Sequence, residues 1–278
     1  MPAKKKPAPR LNTSVLEVGD CVQFLQGFKG GRKPELIVAD PPYNYGVEYD
    51  SAIADNRPYA EYLGWTQDWL GAAHAALHPH GALWVFIPDE WVSEIDLYCR
   101  KELKMTRRSW VVWYYTFGVA NQKNFSRSHT HLLYFTKAKT KFTFNADAVR
   151  VPSARQLVYN DRRQAAGGKL PDNTWVLTRD QLQPLFEPDR DTWLESRVCG
   201  TFKERKKHSP NQLPEALVER IVRSCSNPHD LVVDPFLGAG TTGVVAARLG
   251  RDFAGCDLSK TCVAESRARI AKAAQPAA

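Results

Sequence analysis

The residues most able to do chemistry stand in two short stretches, "VADPPYNY" at 38–45 and "LVVDPFLGAGTTG" at 231–243. In the first, the apolar run Leu36-Ile37-Val38-Ala39 ends in Asp40 and reads as a buried strand. Two prolines follow, and consecutive prolines can neither extend a strand's hydrogen-bond ladder nor turn at once into a helix. Asp40, Pro41, Pro42 and Tyr43 are therefore expected to form a stiff, extended shelf at a strand's carboxyl end. Such a shelf offers a fixed carboxylate and an aromatic ring. The plainer alternative for Asp40 is a turn or helix cap.

The second stretch puts Gly238, Gly240 and Gly243 between an expected strand and an expected helix, with Asp257 19 residues beyond the first glycine. That spacing fits a dinucleotide fingerprint, in which glycines let the backbone approach a ligand whose negative group sits at the helix start. A nicotinamide-binding protein is thus a rival reading. Position argues against it, because only 35 residues follow Gly243. A dinucleotide needs a second mononucleotide half, normally downstream. Here the rest of the sheet must come from the amino-terminal portion, so the motif order is permuted. Adenosine with a short charged tail needs one half-site, and S-adenosylmethionine is such a ligand. Thr241 and Thr242 offer hydroxyl and N–H groups to its amino-acid end, and Asp257 can accept from ribose hydroxyls.

The elements that must position these stretches alternate. "SVLEV", residues 36–39, "GALWVFIP" (81–88), "LVVD" and "DFAGCD" read as strands. Helices are expected in "CVQFLQGF" with Val22, Leu25 and Phe28 inward, over 59–77, over 90–101, in "LPEALVERIVRSC", over 241–249 and over 260–273. Pro214 suits the first turn of its helix. "SWVVWYY" and "HLLYFTK" are expected to pair as a hairpin across the 118–128 loop, while 44–58 reads as a loop or lid. The result is an α/β fold with a mostly parallel sheet and ligands at the strands' carboxyl ends.

"DPPY" upstream, "DPFLGAGTT" downstream and "HSPNQLPEAL" between them, in this order, resemble the DNA amino-methyltransferases of the β motif order over residues 12–270. The resemblance implies a Rossmann-like, circularly permuted methyltransferase fold with a terminal antiparallel strand. It also implies methyl transfer from S-adenosylmethionine to the exocyclic amine of adenine or cytosine in duplex DNA. Asp40 and the Pro41 carbonyl would hold the amine hydrogens, and Tyr43 would stack on a base that has left the duplex. Asp20 and Cys21, after the first strand, would lie near the cofactor's adenine, although an ordinary turn role for Asp20 is open. Asp234, Pro235, Phe236 and Ala239 would flank its methionine end. Asp257 and Leu258 would meet the ribose, with a helix cap as the alternative for Asp257. Ser209, Asn211 and Gln212 would close over the cofactor. In "HSPNQLP" an extra Ser209 departs from the family's H-P-x-Q-x-P pattern, which leaves the register of those contacts open.

The organisation implied is a basic disordered arm (1–11), a catalytic half (12–144), a target-recognition insertion (145–207), a cofactor-binding half (208–273) and a disordered tail (274–278). Phosphate contacts are expected from Arg155, Arg162, Arg163 and Lys169 and from Lys203, Arg205, Lys206 and Lys207 in "KERKKH", and Asn121, Lys123 and Arg127 in the 118–128 loop are further candidates to meet DNA. The tripeptide "DTW" at 191–193 resembles one found late in this region, and His131 and Trp113 match strand positions that can be plain core. Asp before the two prolines favours adenine over cytosine. A homodimer and a separately acting restriction endonuclease are further implied partners, in a cytoplasm of prokaryotic type. The remaining alternative is a catalytically silent DNA-binding protein.

Bulk properties agree with this picture. A formal charge of +8 tilts toward polyanionic partners, and 43% hydrophobic content describes a globular chain. The six cysteines include no C-x-x-C pair, which argues against a zinc site or a disulfide framework and for a reducing compartment. No apolar run approaches the ~18 residues of a membrane span.

Overall fold

The computed structural model describes residues 14–28, 31–47, 55–115, 123, 125, 127–151, 168–175 and 212–275. Their eight strands are β1 (Ser14–Val18), β2 (Leu36–Ala39), β3 (Ala82–Ile87), β4 (Thr106–Tyr114), β5 (His129–Thr136), β6 (Thr174–Trp175), β7 (Leu231–Asp234) and β8 (Asp252–Asp257). They form one sheet in the order β1-β8-β7-β2-β3-β5-β4-β6. The helices are α1 (Cys21–Gln26), α2 (Tyr59–Ala76), α3 (Asp89–Lys101), α4 (Glu215–Cys225), α5 (Thr241–Arg248) and α6 (Lys260–Ala273). None of the described helices is long and apolar enough to cross a membrane.

Parallel strands are covered on both faces and so read as continuous apolar runs. All four residues of β2 and all six of β3 are buried. Successive side chains nonetheless point to opposite layers. Leu36 and Val38 pack with Leu217 and Ile221 of α4, Val245 of α5 and Ile270 of α6. Ile37 and Ala39 pack with Phe24 of α1, Trp69 and Leu70 of α2 and Ile95 of α3. Three helices therefore cover each face.

Several expectations shift by small, explicable amounts. The reversed strand is not the last one. β5 runs antiparallel between β3 and β4, so β4 and the short β6 continue the parallel direction beyond it. β5 pairs with β4 over Tyr114–His129 to Thr106–Thr136 and with β3 on its other edge. In α1 Cys21, Phe24 and Leu25 are fully buried, while Val22 and Phe28 are partly buried against the same core. Pro214 is the N-cap of α4 rather than its first helical residue, with an extended ψ of 136°. The expected insertion begins on the domain itself. The Asn145 side chain donates to the carbonyls of Arg223 and Ser226, at 3.1 and 2.9 Å, just where α4 ends.

The glycine loop is shaped by how closely α6 approaches it. Gly240 has φ of +73°, and a Cβ there would lie 2.6 Å from the Ser266 side chain. Gly243, inside α5, sits against α6 and β8. A Cβ there would lie 2.3 Å from Ile270 Cδ1 and 2.7 Å from Phe253 Cε1. Helix propensity alone favours alanine over glycine by up to about 1 kcal/mol. The clash should reverse that sign, and Gly243→Ala is expected to lose about 1–3 kcal/mol. A urea midpoint that falls at constant slope would measure it.

Candidate functional site

The strand order does the first work. β7 hands its chain to α5 and then to β8 on one side, while β2 hands its chain to α2 and then to β3 on the other. The crevice between β7 and β2 is therefore the switch point at which open α/β sheets bind ligands. Four carboxylates arrive at this edge from neighbouring strands. Asp20 follows β1, Asp257 ends β8, Asp234 ends β7 and Asp40 follows β2. With strands about 4.8 Å apart, the row spans roughly 14 Å. Residues 20 and 257 were thus brought together with 40 and 234 by topology alone.

The shelf is held from beneath. Tyr62 of α2 donates its hydroxyl to the Pro42 carbonyl at 2.7 Å, and Trp91 of α3 donates Nε1 to the Tyr43 carbonyl at 3.0 Å. Their rings are 4.4 Å apart. The prolines supply no N–H, so two aromatic side chains fix the backbone through its carbonyls instead. Tyr43 donates its own hydroxyl to Asp40 Oδ1 at 2.7 Å. The ring thus leans over the carboxylate and occupies one of its oxygens. Beyond it, Trp65 and Trp69 of α2 contact Phe236 at 5.9 and 5.2 Å, which links the shelf's support to the glycine loop.

On the other side of the crevice, the carbonyl of Gly238 accepts from Ser266 Oγ at 3.0 Å, and that of Ala239 accepts from Arg269 of α6. Thr241 Oγ1 donates to the Leu213 carbonyl at 3.3 Å, so the segment before α4 lies against the loop, with Gln212 buried beside it. Asp257 Oδ2 accepts from the Gly238 amide at 2.8 Å and Oδ1 from Ser259 at 2.9 Å. Asp20 Oδ1 accepts from the Val22 and Gln23 amides, the arrangement of a helix N-cap. A carboxylate has about four lone-pair sites, so an N-cap role leaves Asp20 able to accept from a ligand as well.

Asp234 is the electrostatic centre of the row. Burial pushes its pKa up to about 6, against the stabilising Thr242 hydroxyl and Phe236 amide, and the charge of Asp257 adds to the upward push. Cys21 is buried, and burial together with the Asp20 charge pushes its thiol up to about 12, so it is an inert packing residue. Pro235 and Ala239 are buried in the loop, and Leu258 is exposed beside it.

The residues expected to meet DNA fare unevenly. Lys123 is exposed, whereas Lys169 pairs with Asp172 at 2.8 Å. Arg127 is committed to Asp89 and Glu90 at the start of α3, at 2.9 and 2.8 Å, and to the Tyr45 hydroxyl. Ser209, Asn211, Asn121, Arg155, Arg162, Arg163, Lys203, Arg205, Lys206, Lys207 and the tripeptide at 191–193 lie outside the described residues, as do the arm and the last three residues. His131 takes a plain structural role. Its Nδ1 accepts from Trp110 Nε1 at 2.9 Å, and Trp113 is buried in the sheet. The supports Tyr62, Trp91 and Ser266 were not singled out by sequence as site residues. The only signal for the first two was that buried Tyr and Trp need a partner for their polar tips.

Comparison with known proteins gives a consistent result. A family model described as DNA methylase matches residues 35–268. The type II methyltransferase M.HpaI of Haemophilus parainfluenzae is 35% identical over 236 residues, covering 85% of this chain and 68% of the relative. The DNA adenine methyltransferase YhdJ of Escherichia coli is 33% identical over 233 residues, covering 81% and 72%. The same fold occurs in the crystal structure of the M1.HpyAVI–SAM complex (TM-score 0.60, 21% identity, 92% of this chain and 100% of that one). It occurs again in the PvuII DNA methyltransferase, titled cytosine-N4-specific (TM-score 0.66, 17% identity, 93% and 86%).

The raised pKa of Asp234 has a definite sign. Its folded value near 6 lies above the ~3.9 of an unfolded chain. The associated stability is present below pH ~4 and is lost as pH rises through about 6. Two pKa units correspond to about 3 kcal/mol at most. Asp234→Asn should remove this dependence. Urea unfolding of the two proteins at pH 4.5 and 7.5 is expected to show the variant gaining relative to wild type at the higher pH.

Proposed function

The chain belongs to the DNA methylase family, the N6- and N4-amino-methyltransferases, and from that premise we propose that it methylates the exocyclic amine of adenine in duplex DNA. The observation that carries the proposal is the switch-point crevice, with the Asp40–Tyr43 shelf on one wall and the glycine loop with Asp234 on the other. Bound S-adenosylmethionine supplies a methyl group made electrophilic by a sulfonium. Asp234, Phe236, the 238–242 loop and Asp257 would hold it at the carboxyl ends of β7 and β8. Asp20 and Gln212 lie at the two ends of this wall.

An exocyclic amine is a weak nucleophile because its lone pair is delocalised into the ring. Asp40's carboxylate and the Pro41 carbonyl, both acceptors on a backbone stiffened by proline, would take the amine's two hydrogens. That pulls the nitrogen toward pyramidal geometry and aims its lone pair across the crevice. Acceptors fixed before reaction stabilise charge that develops only in the transition state. The target base must leave the helix to reach them, which costs a few kcal/mol. Stacking on Tyr43 would return about 1–3 kcal/mol. For that, the Tyr43 ring must give up its own bond to Asp40 Oδ1.

Adenine is favoured because Asp, not Ser, precedes the prolines. The adenine-directed name of YhdJ, a relative at 33% identity, supports the same choice. Residues 145–207 are assigned to target recognition, and the net charge of +8 suits a DNA partner.

Unmethylated plasmid incubated with purified protein and methyl-labelled S-adenosylmethionine should yield labelled N6-methyladenine on nucleoside mass spectrometry. Asp40→Ala is expected to cut that label by about 10²–10³-fold. Label on cytosine would replace the adenine assignment, and no label on DNA would overturn the proposal. DNA affinity should also fall steeply and linearly with log salt concentration, and a flat response would exclude a phosphate-dominated interface.

A further inference from the structure

After Tyr43 the chain leaves the shelf through residues 44–47 and comes back at 55–57. One side chain gathers the two stems. Asp55, only 4% exposed, accepts from the amide of Asn44 at 2.8 Å through Oδ1. Its Oδ2 accepts from Tyr45 at 3.1 Å and from Val47 at 2.8 Å. Its backbone carbonyl takes the Gly46 amide at 2.7 Å. All four residues following Tyr43 therefore donate to Asp55. Asn44 completes the closure with a reciprocal pair to Arg57, Oδ1 accepting at 2.7 Å and Nδ2 donating at 2.8 Å.

The conformation that this closure holds is unusual. Asn44 has φ of +64°, a left-handed geometry that turns the chain sharply as soon as Tyr43 is placed. Tyr45, fixed by Asp55, sets its ring edge-on to that of Tyr43 at 6.0 Å. Arg57 is steadied in turn by the face of Trp65 at 4.6 Å. Neutral acceptors could fill part of this role. A carboxylate receiving three amides forms stronger, charge-assisted bonds and needs all of them to remain buried.

We propose that Asp55 is a positioning residue for methyl transfer. It fixes the turn at Asn44, and thereby the placement of Tyr43 and of the Asp40–Pro41 acceptor pair, without touching substrate. This rests on the function argued above. Displacing a reacting geometry by about 1 Å can cost on the order of 10²-fold in rate, so loosening the turn should reduce kcat while leaving the opposite wall of the crevice intact.

The test uses the full-length chain with Asp55→Ala and the milder Asp55→Asn, which keeps one acceptor oxygen should the alanine variant fail to fold. Hydrogen exchange would follow the amides of 44–47, calorimetry the affinity for S-adenosylmethionine, and steady-state kinetics kcat and KM on plasmid DNA. The expected result is amide protection lost by at least about tenfold and kcat reduced by about 10–100-fold, with cofactor affinity within about threefold of wild type. Unchanged protection would overturn the proposal, as would unchanged kcat. Loss of cofactor affinity in parallel with kcat would also overturn it, since that marks a general structural role. If wild type methylates no DNA, the functional reading fails instead, and the exchange and calorimetric results alone decide whether Asp55 holds the turn.

Discussion

The pairing of β2 with β7 is the constraint on which the site rests. These are two four-residue strands from opposite ends of the chain, and their recorded register is only Leu36 with Val232 and Ile37 with Val233. Yet the contact sets Asp40 beside Asp234 and opens a crevice between loops that leave the sheet in opposite directions. Burial secures it. Every residue of both strands is buried, and their side chains reach both helical layers. A strand with no exposed face can slip register only by putting its whole apolar set out of place.

Each wall of the crevice answers the same difficulty differently. The shelf has prolines that cannot donate, so it is pinned through carbonyls by Tyr62 and Trp91. The glycine loop has a backbone free to take many shapes, so it is pinned by Ser266 and Arg269 from α6 and by the Asp257 carboxylate. Trp65 and Trp69, packed on Phe236, connect the two sets of supports. Both walls are thus fixed by side chains from α2, α3 and α6 that reach them from behind.

Much of this was legible in the sequence, for physical reasons that differ by element. The fully buried strands announced themselves as apolar runs ending in acids, and α6 matched its amphipathic pattern from Lys260 to Ala273. The two loops were legible because proline restricts the backbone and glycine frees it, so each marks a position where the chain must do something unusual. Asp55 was not, because it lies in a stretch without period, where an acid looks like any loop residue. Tyr62 lies on the buried face of the helix expected over 59–77, but its hydroxyl's destination depends on a strand order that no local pattern states. Arg127 is a candidate to meet DNA by its place in the 118–128 loop, while its partners in the fold, Asp89 and Glu90, stand far away in sequence. The place of β5 inside the sheet was likewise invisible, since a hairpin signal fixes one neighbour and is silent about the other.

The sheet order also has a temporal meaning. β1, the first strand made, has β8 as its partner among the described residues, and β2 gains its second neighbour only with β7. On a ribosome adding about 5–20 residues per second, about 190–240 residues separate these partners, an interval of roughly 10–50 s. Throughout it, the strand that carries the Asp40 shelf has one edge unsatisfied and one apolar layer uncovered. The central, most buried part of this protein is thus closed late, and a nascent chain must keep the strand bearing its future cleft from pairing elsewhere until β7 emerges.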